Sequence, residues 1–257
     1  MENKPLIFIS NDDGVNAPGI RALIGLMREI GRVVVVAPDK PQSGTAHAIT
    51  IHTPLRLSLI QKADGYEEYS CNGTPADCVK LGFKVVLRGK PDLLVSGINH
   101  GSNASVSIIY SGTMAAVFEG DMSGVPSIGF SLSDLSADAD FKPSGKYVRI
   151  ITEAVLKHGL PEGVCLNVNI PKATEEELQG IKICRQAAGC WLEDFDERVD
   201  PVGNNYYWLK GIFIKSDIGL DTDEEALANN FVSIVPVKFD FTAHAAIGEL
   251  QKWNLDV

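Results

Sequence analysis

The feature that most constrains this chain is the strand, helix, strand pattern at its start. Leu6 to Ser10 is a compact apolar run that stops at Asn11-Asp12-Asp13-Gly14, and Val33 to Ala37 is a β-branched run that stops at Pro38-Asp39. Runs that are apolar on successive residues suit strands buried on both faces, as in a parallel sheet covered by helices. Between them Pro18 opens a segment with Ile20, Leu23, Ile24, Met27 and Ile30 at spacings of three and four, closed by Gly31. That spacing predicts a helix with one apolar face, and the three pieces together predict a right-handed βαβ unit.

The alternation continues with a helix expected over Pro75 to Leu87, a strand over Asp92 to Ser96 and a helix from Gly112-Thr113. A strand over Ser127 to Phe130, a helix around Tyr147 to Lys157 and a strand over Val164 to Ile170 complete it. Such an order is the signature of an α/β fold, here a doubly wound sheet. Ser131 to Gly145, rich in Ser, Asp, Pro and Gly, reads as a long surface loop. After Pro171 the alternation fades. Thr174-Glu175-Glu176-Glu177 reads as the capping box of a short helix, and strand-like pieces follow at Ile181 to Arg185, Tyr206 to Ile214 and Phe231 to Val237. The expected organisation is a doubly wound α/β core over 1–171 and a smaller β-rich part over 172–257 packed on it.

With 45% hydrophobic residues among 257, the chain has ample material for a core. Its net charge of −10 would repel a nucleic-acid polyanion, so no large nucleic acid is expected as a partner. A small phosphorylated molecule remains compatible, because a local cation or a helix N-terminus holds phosphate against an unfavourable net charge. The opening MENKPLIFIS has neither the long apolar region of a signal peptide nor a membrane-spanning run of ~18 residues, which predicts a cytoplasmic protein with no membrane partner. Five cysteines without a CxxC pair read as reduced, mostly buried thiols.

Ligands of doubly wound sheets sit beyond the carboxyl ends of the strands, and the polar clusters converge there. Asp12 and Asp13 place two adjacent carboxylates at the end of a buried strand, where they repel unless a cation neutralises them; the alternative is a plain turn with a helix N-cap. Pro38 to Thr50 supplies hydroxyls, a lysine and His47, or is an ordinary polar loop. Ser96-Gly97-Ile98-Asn99-His100-Gly101-Ser102-Asn103 offers neutral amide oxygens suited to Mg²⁺, Mn²⁺ or Ca²⁺, or is a glycine-rich turn. Tyr110-Ser111-Gly112-Thr113 opens a helix whose free N–H groups suit a phosphate, or is a simple cap. The conjunction favours a metal-phosphate site over four unrelated turns.

NDDG at 11–14, APDKPQSGTAHAIT at 37–50, NGTPADCVKLG at 72–82, SGINHGSN at 96–103 and YSGTMAAVFEG at 110–120 occur in that order. Together they closely resemble the stationary-phase survival protein E (SurE) family of metal-dependent 5′-nucleotidases. NYYWLKG at 205–211, DTDEEAL at 221–227 and FVSIVPV at 231–237 extend the resemblance more loosely. The resemblance implies a Rossmann-like, three-layer catalytic core over 1–171 with a smaller β-rich oligomerisation part over 172–257, and hydrolysis of nucleoside 5′-monophosphates by a homodimer or homotetramer that exchanges C-terminal elements. It implies one divalent cation, Mg²⁺ or Mn²⁺, on Asp12, Asp13, Ser43 and Asn99. Asn103, Ser111, Gly112 and Thr113 would contact the phosphate, and His47 would lie near the substrate. His100 stands where many members carry Arg or Lys, and Asn230 and Val235 replace a frequent Gly and Thr.

Asp13 or His47 could assist proton transfer, so the expected catalytic set is Asp12, Asp13 and His47. Two other readings compete. A haloacid-dehalogenase-type phosphatase needs Asp-x-Asp rather than adjacent acids, and a non-catalytic nucleotide or metal sensor would use the same ligands without turnover.

Overall fold

Leu6–Ser10 forms β1, Pro18–Ile30 forms α1 and Arg32–Pro38 forms β2, with β1 and β2 parallel, as the apolar runs require. The computed structural model describes residues 4–253 and residue 255. The chain then adds β3 (Leu57–Ala63), β4 (Tyr66–Cys71), α2 (Pro75–Leu81), β5 (Leu93–His100), α3 (Gly112–Met122), β6 (Ser127–Ser133), α4 (Gly145–His158) and β7 (Cys165–Pro171). Beyond Pro171 come β8 (Gly180–Ile183), β9 (Gly189–Val199), β10 (Asn205–Lys215), α5 (Asp223–Ala228), β11 (Phe231–Val237) and α6 (His244–Leu250).

Nine strands form one sheet in the order β3-β4-β2-β1-β5-β6-β7-β11-β8. It is α/β and mostly parallel; β3 on β4 and β11 on β7 are antiparallel. From β1 the chain moves to β2 on one side, while β5 lies on the other, so the crevice between β1 and β5 is a topological switch point where ligands collect. Two apolar clusters cover the sheet. Ile20, Leu23 and Met27 of α1 pack with Val148 and Ile151 of α4 on one face, and Val79 of α2 packs with Met114 and Val117 of α3 on the other. β8 and β11 belong to this sheet, whereas β9 and β10 form a separate antiparallel ribbon.

Three expectations need correction, and two strands were not foreseen. The helix expected over Pro75 to Leu87 ends at Leu81 and continues as a π-helical turn, Gly82–Val86. The loop expected from Ser131 begins only after Ser133, because β6 runs on beside β5 and β7. Thr174 to Glu177 is a turn and not a helix: half of the capping box forms, Thr174 N donating to Glu177 Oε2 at 2.9 Å. Gly180, at φ +121°, then turns the chain into β8 before a helix nucleus can be extended. Finally β3 and β4 escaped the apolar-run reading, since β3 is an exposed edge strand carrying Gln61 and Lys62. Among the described residues no helix is long and apolar enough to cross a membrane.

Candidate active site

The switch point gathers the polar ends of β1, β2 and β5 into a cavity of about 290 Å³ lined by Asp12, Ser43, Asn99, Asn103, Ser111 and Trp191 among others. Hydrogen bonds between side chains and the backbone, with one between backbones, set this edge. Asn11, fully buried, turns the chain after β1 by donating its amide to Gly14 O at 2.9 Å. Gln42 N donates to Asp12 O at 2.7 Å, which brings the loop carrying Ser43 over Asp12. From β5, His100 N donates to Asp13 Oδ2 at 3.1 Å, and Asn99 Nδ2 donates to Gly101 O at 2.8 Å, leaving its amide oxygen for a ligand.

Asp12 is buried, and its carboxyl is pushed up to about 6, by burial first and further by the neighbouring Asp13 charge, against the hydrogen bond from Thr113. Asp13 is also raised by burial, opposed by its bond from His100 N. Two carboxyls that resist ionisation side by side gain most from a cation. The donors offered are hard oxygens: two carboxylates, the Asn99 amide and the Ser43 hydroxyl. Among the described residues no three His, Cys, Asp or Glu side chains gather as a metal cluster, so a cation here would rely on the serine and asparagine as well. This set fits Mg²⁺ or Mn²⁺ better than zinc.

The start of α3 packs directly behind Asp12. Gly112 is required for that approach, because a Cβ at this position would lie 2.6 Å from Asp12 Cβ. Thr113 is fully buried, and its Oγ1 donates to Asp12 Oδ1. The sequence reading placed Thr113 on the phosphate; the structure points its hydroxyl at the carboxylate. Ser111 caps the helix, its Oγ accepting from Met114 N at 3.0 Å, and its hydroxyl proton is left for a ligand in the cavity.

Asn103 is held by an amide ladder that the sequence reading missed. Its N donates to Asn169 Oδ1 at 2.7 Å, its carbonyl accepts from Asn167 Nδ2 at 2.9 Å, and its Nδ2 donates to Ser131 Oγ at 2.9 Å. One amide hydrogen remains for a ligand in the cavity. The signal was present as two asparagines two apart in the otherwise apolar Cys165–Pro171, both therefore on one face. Asp223 of α5 is a second omission: its Oδ2 accepts from Ser105 N at 2.8 Å and its Oδ1 from Ala187 N at 2.9 Å, tying the loop after Asn103 to the C-terminal segment. Nothing in the local sequence marks Trp191, which reaches the cavity from β9.

His47 does not line the Asp12 cavity. It borders an adjoining, more apolar cavity of about 500 Å³ with Ile108, Phe118 and Phe239, and the two cavities meet at Ser111. Its ring stacks on Phe118 at 6.3 Å, and its Nε2 lies 2.9 Å from Glu119 Oε1. The loop is positioned by α2, whose capping Asp77 accepts from Thr50 N at 3.1 Å and whose Thr74 hydroxyl donates to Ala48 O at 2.7 Å. Of the nine sequence-derived residues, Asp12, Ser43, Asn99, Asn103 and Ser111 share one cavity; Asp13, Gly112 and Thr113 stand behind it, and His47 lies next door.

The family model described as Survival protein SurE matches residues 7–193. A 5′-nucleotidase SurE from Christiangramia forsetii is 56% identical over 257 residues, covering 99% of each chain. One from Bacteroides fragilis is 46% identical over 257 residues, covering 99% of this chain and 100% of its own. In three dimensions, the crystal structure of the SurE protein from Aquifex aeolicus superposes with a TM-score of 0.83 at 38% identity, over 97% of this chain and 99% of that one. A sheet edge built from Asp12, Ser43, Asn99 and the start of α3, together with matches of this length, leads to one assignment: the chain belongs to the SurE family.

Proposed function

We propose that this chain hydrolyses nucleoside 5′-monophosphates to nucleoside and inorganic phosphate with one divalent cation, Mg²⁺ or Mn²⁺, held by Asp12, Asp13, Ser43 and Asn99. The observation that carries the reading is the buried Asp12 carboxyl, raised to about 6 beside Asp13 and facing a cavity lined by serine hydroxyls, the Asn99 and Asn103 amides, and His100. A bound cation supplies Lewis acidity and a more acidic water. Thr113 and Gly112 orient Asp12. Asn103 and Ser111 donate to phosphoryl oxygens, helped by the free first-turn N–H groups of α3.

The adjoining cavity receives the nucleoside, with His47 at its border. Asp13 and His47 are the groups placed to move a proton. The reading extends to 172–257 as an oligomerisation part packed on a 1–171 core, to a homodimer or homotetramer, and to the cytoplasm, where thiols stay reduced. Phosphate release from a panel of nucleoside 5′-monophosphates with Mg²⁺ or Mn²⁺ tests it. Release from at least one, dependent on the cation, is expected. Binding of nucleotide without release under any metal would replace the enzyme reading with a sensor.

A further inference from the structure

A third cavity, of about 590 Å³, lies between α2 with its π-helical extension and α3, shares no lining residue with the Asp12 cavity, and is lined by Lys80, Lys84, Arg88, Lys90 and Glu119. Four cations share it in a chain of net charge −10. Lys80 pairs with Glu119 at 2.6 Å, whereas Lys84, Arg88 and Lys90 have no ion-pair partner among the described residues. Lys80 and Lys84 stand four apart on α2 and its π-helical extension, so their like charges repel.

The backbone holds these cations at a cost. A π-helical turn is rare and is found most often at functional sites. It closes with Leu87 N donating to Gly82 O at 2.8 Å and Gly89 N to Phe83 O at 3.1 Å, which puts Arg88 in the left-handed region at φ +52°. Glycine is the usual residue there. An arginine kept in a glycine conformation, beside two unpaired lysines, makes sense when its charge has a ligand.

Glu119 connects this cavity to the nucleoside side of the active site. It is buried, and its two oxygens divide between Lys80 on one cavity and His47 Nε2, at 2.9 Å, on the other. We propose that the Lys80, Lys84, Arg88 and Lys90 cavity binds a compact oligophosphate anion, and that its occupancy is communicated to His47 through Lys80 and Glu119. An anion shares the half-exposed Lys80 ammonium and weakens its hold on Glu119, so that carboxylate grips His47 more firmly and changes nucleotide binding next door. The communication rests on the nucleotidase reading; the anion site does not.

Inorganic tripolyphosphate is the probe. Calorimetric titration of the full chain in chelator isolates the cationic cavity, because Asp12 and Asp13 without a cation repel an anion from the active site. Saturable binding is expected for the parent, at least ten-fold weaker binding for Lys84→Ser/Arg88→Gly, and parental binding for Lys84→Arg. Arg88→Gly suits the left-handed backbone, and an unchanged circular dichroism spectrum separates lost binding from lost fold. In parallel, nucleoside release at constant free Mn²⁺ should show a several-fold shift in KM with tripolyphosphate that the double variant loses while keeping its basal rate. No saturable binding, or equal binding by the double variant, overturns the site; binding without a variant-sensitive KM shift overturns the communication. If the parent hydrolyses no nucleotide at all, the functional reading falls while the titration still decides the anion site.

Discussion

The edge where β1, β2 and β5 end and the β9–β10 ribbon break opposite rules. At the edge, Asp12, Asn99, Asn103 and Thr113 are polar and buried. On the ribbon, Leu192, Phe195, Trp208, Leu209 and Ile212 are large, apolar and each about 60% exposed, so neither face of the pair is covered. Burying polar groups costs stability unless partners satisfy them, and exposing a contiguous apolar surface invites association. The edge has internal partners for its polar groups, whereas only another surface could cover the ribbon; the proposed homo-oligomer would supply one.

The largest expected effect comes from removing the charge at the edge. Asp12→Asn should lower turnover by more than the ~10- to 100-fold typical of losing a group behind a metal ligand, because the proposed ligand itself is altered. The same change should stabilise chelated protein above pH 6. A carboxyl raised from 3.8 to about 6 keeps its proton longer in the folded state, so its contribution to stability falls as pH rises through that window, by up to about 3 kcal/mol. Urea unfolding of parent and variant in chelator from pH 4 to pH 8 checks this: the difference should grow toward pH 6 and then level off. A flat difference would return Asp12 to the role of a turn residue.

Thr113→Val tests how the edge is built. Losing a hydrogen bond to a carboxylate is worth about 1.5 to 3 kcal/mol, or roughly ten- to a hundred-fold in kcat/KM. Because the hydroxyl faces Asp12, the loss should fall on kcat, with competitive inhibition by inorganic phosphate unchanged. A matching loss of phosphate inhibition would restore the direct phosphate contact. Gly112→Ala should act through the same carboxylate: overpacking costs about 1 to 3 kcal/mol, read as a lower Tm together with reduced kcat.

The edge was legible because its strands are apolar runs that stop abruptly at NDDG, at the proline after Ala37 and near SGINHGSN, and parallel strands must end on one side. What stayed hidden depended on side-chain direction. Nothing in the sequence tells whether the Thr113 hydroxyl faces ligand or Asp12, or that His47 turns toward Glu119 instead of the Asp12 cavity. β4 was missed because Glu67 and Glu68 break its apolar pattern; Glu68 is nonetheless buried, satisfied by Arg21 and by the Tyr66 hydroxyl. The sheet membership of β8 and β11 rests on pairing partners far along the chain, which local periodicity does not encode.

The smallest effect on the single chain should come from the ribbon. Trp208→Ser removes an exposed side chain and should shift intrachain stability by no more than about 0.5 kcal/mol. Its effect should appear in assembly, as a smaller particle in analytical ultracentrifugation. An unchanged sedimentation coefficient would remove the ribbon from the interface.

If the oxygens at the ends of β1, β2 and β5 act through a divalent cation, exhaustively chelated protein should release no phosphate from a nucleoside 5′-monophosphate. Its circular dichroism spectrum should stay unchanged, because the proposed ligands sit at strand ends and in loops, and release should return when Mn²⁺ or Mg²⁺ is restored. Full phosphate release by the chelated protein would rule the cation out.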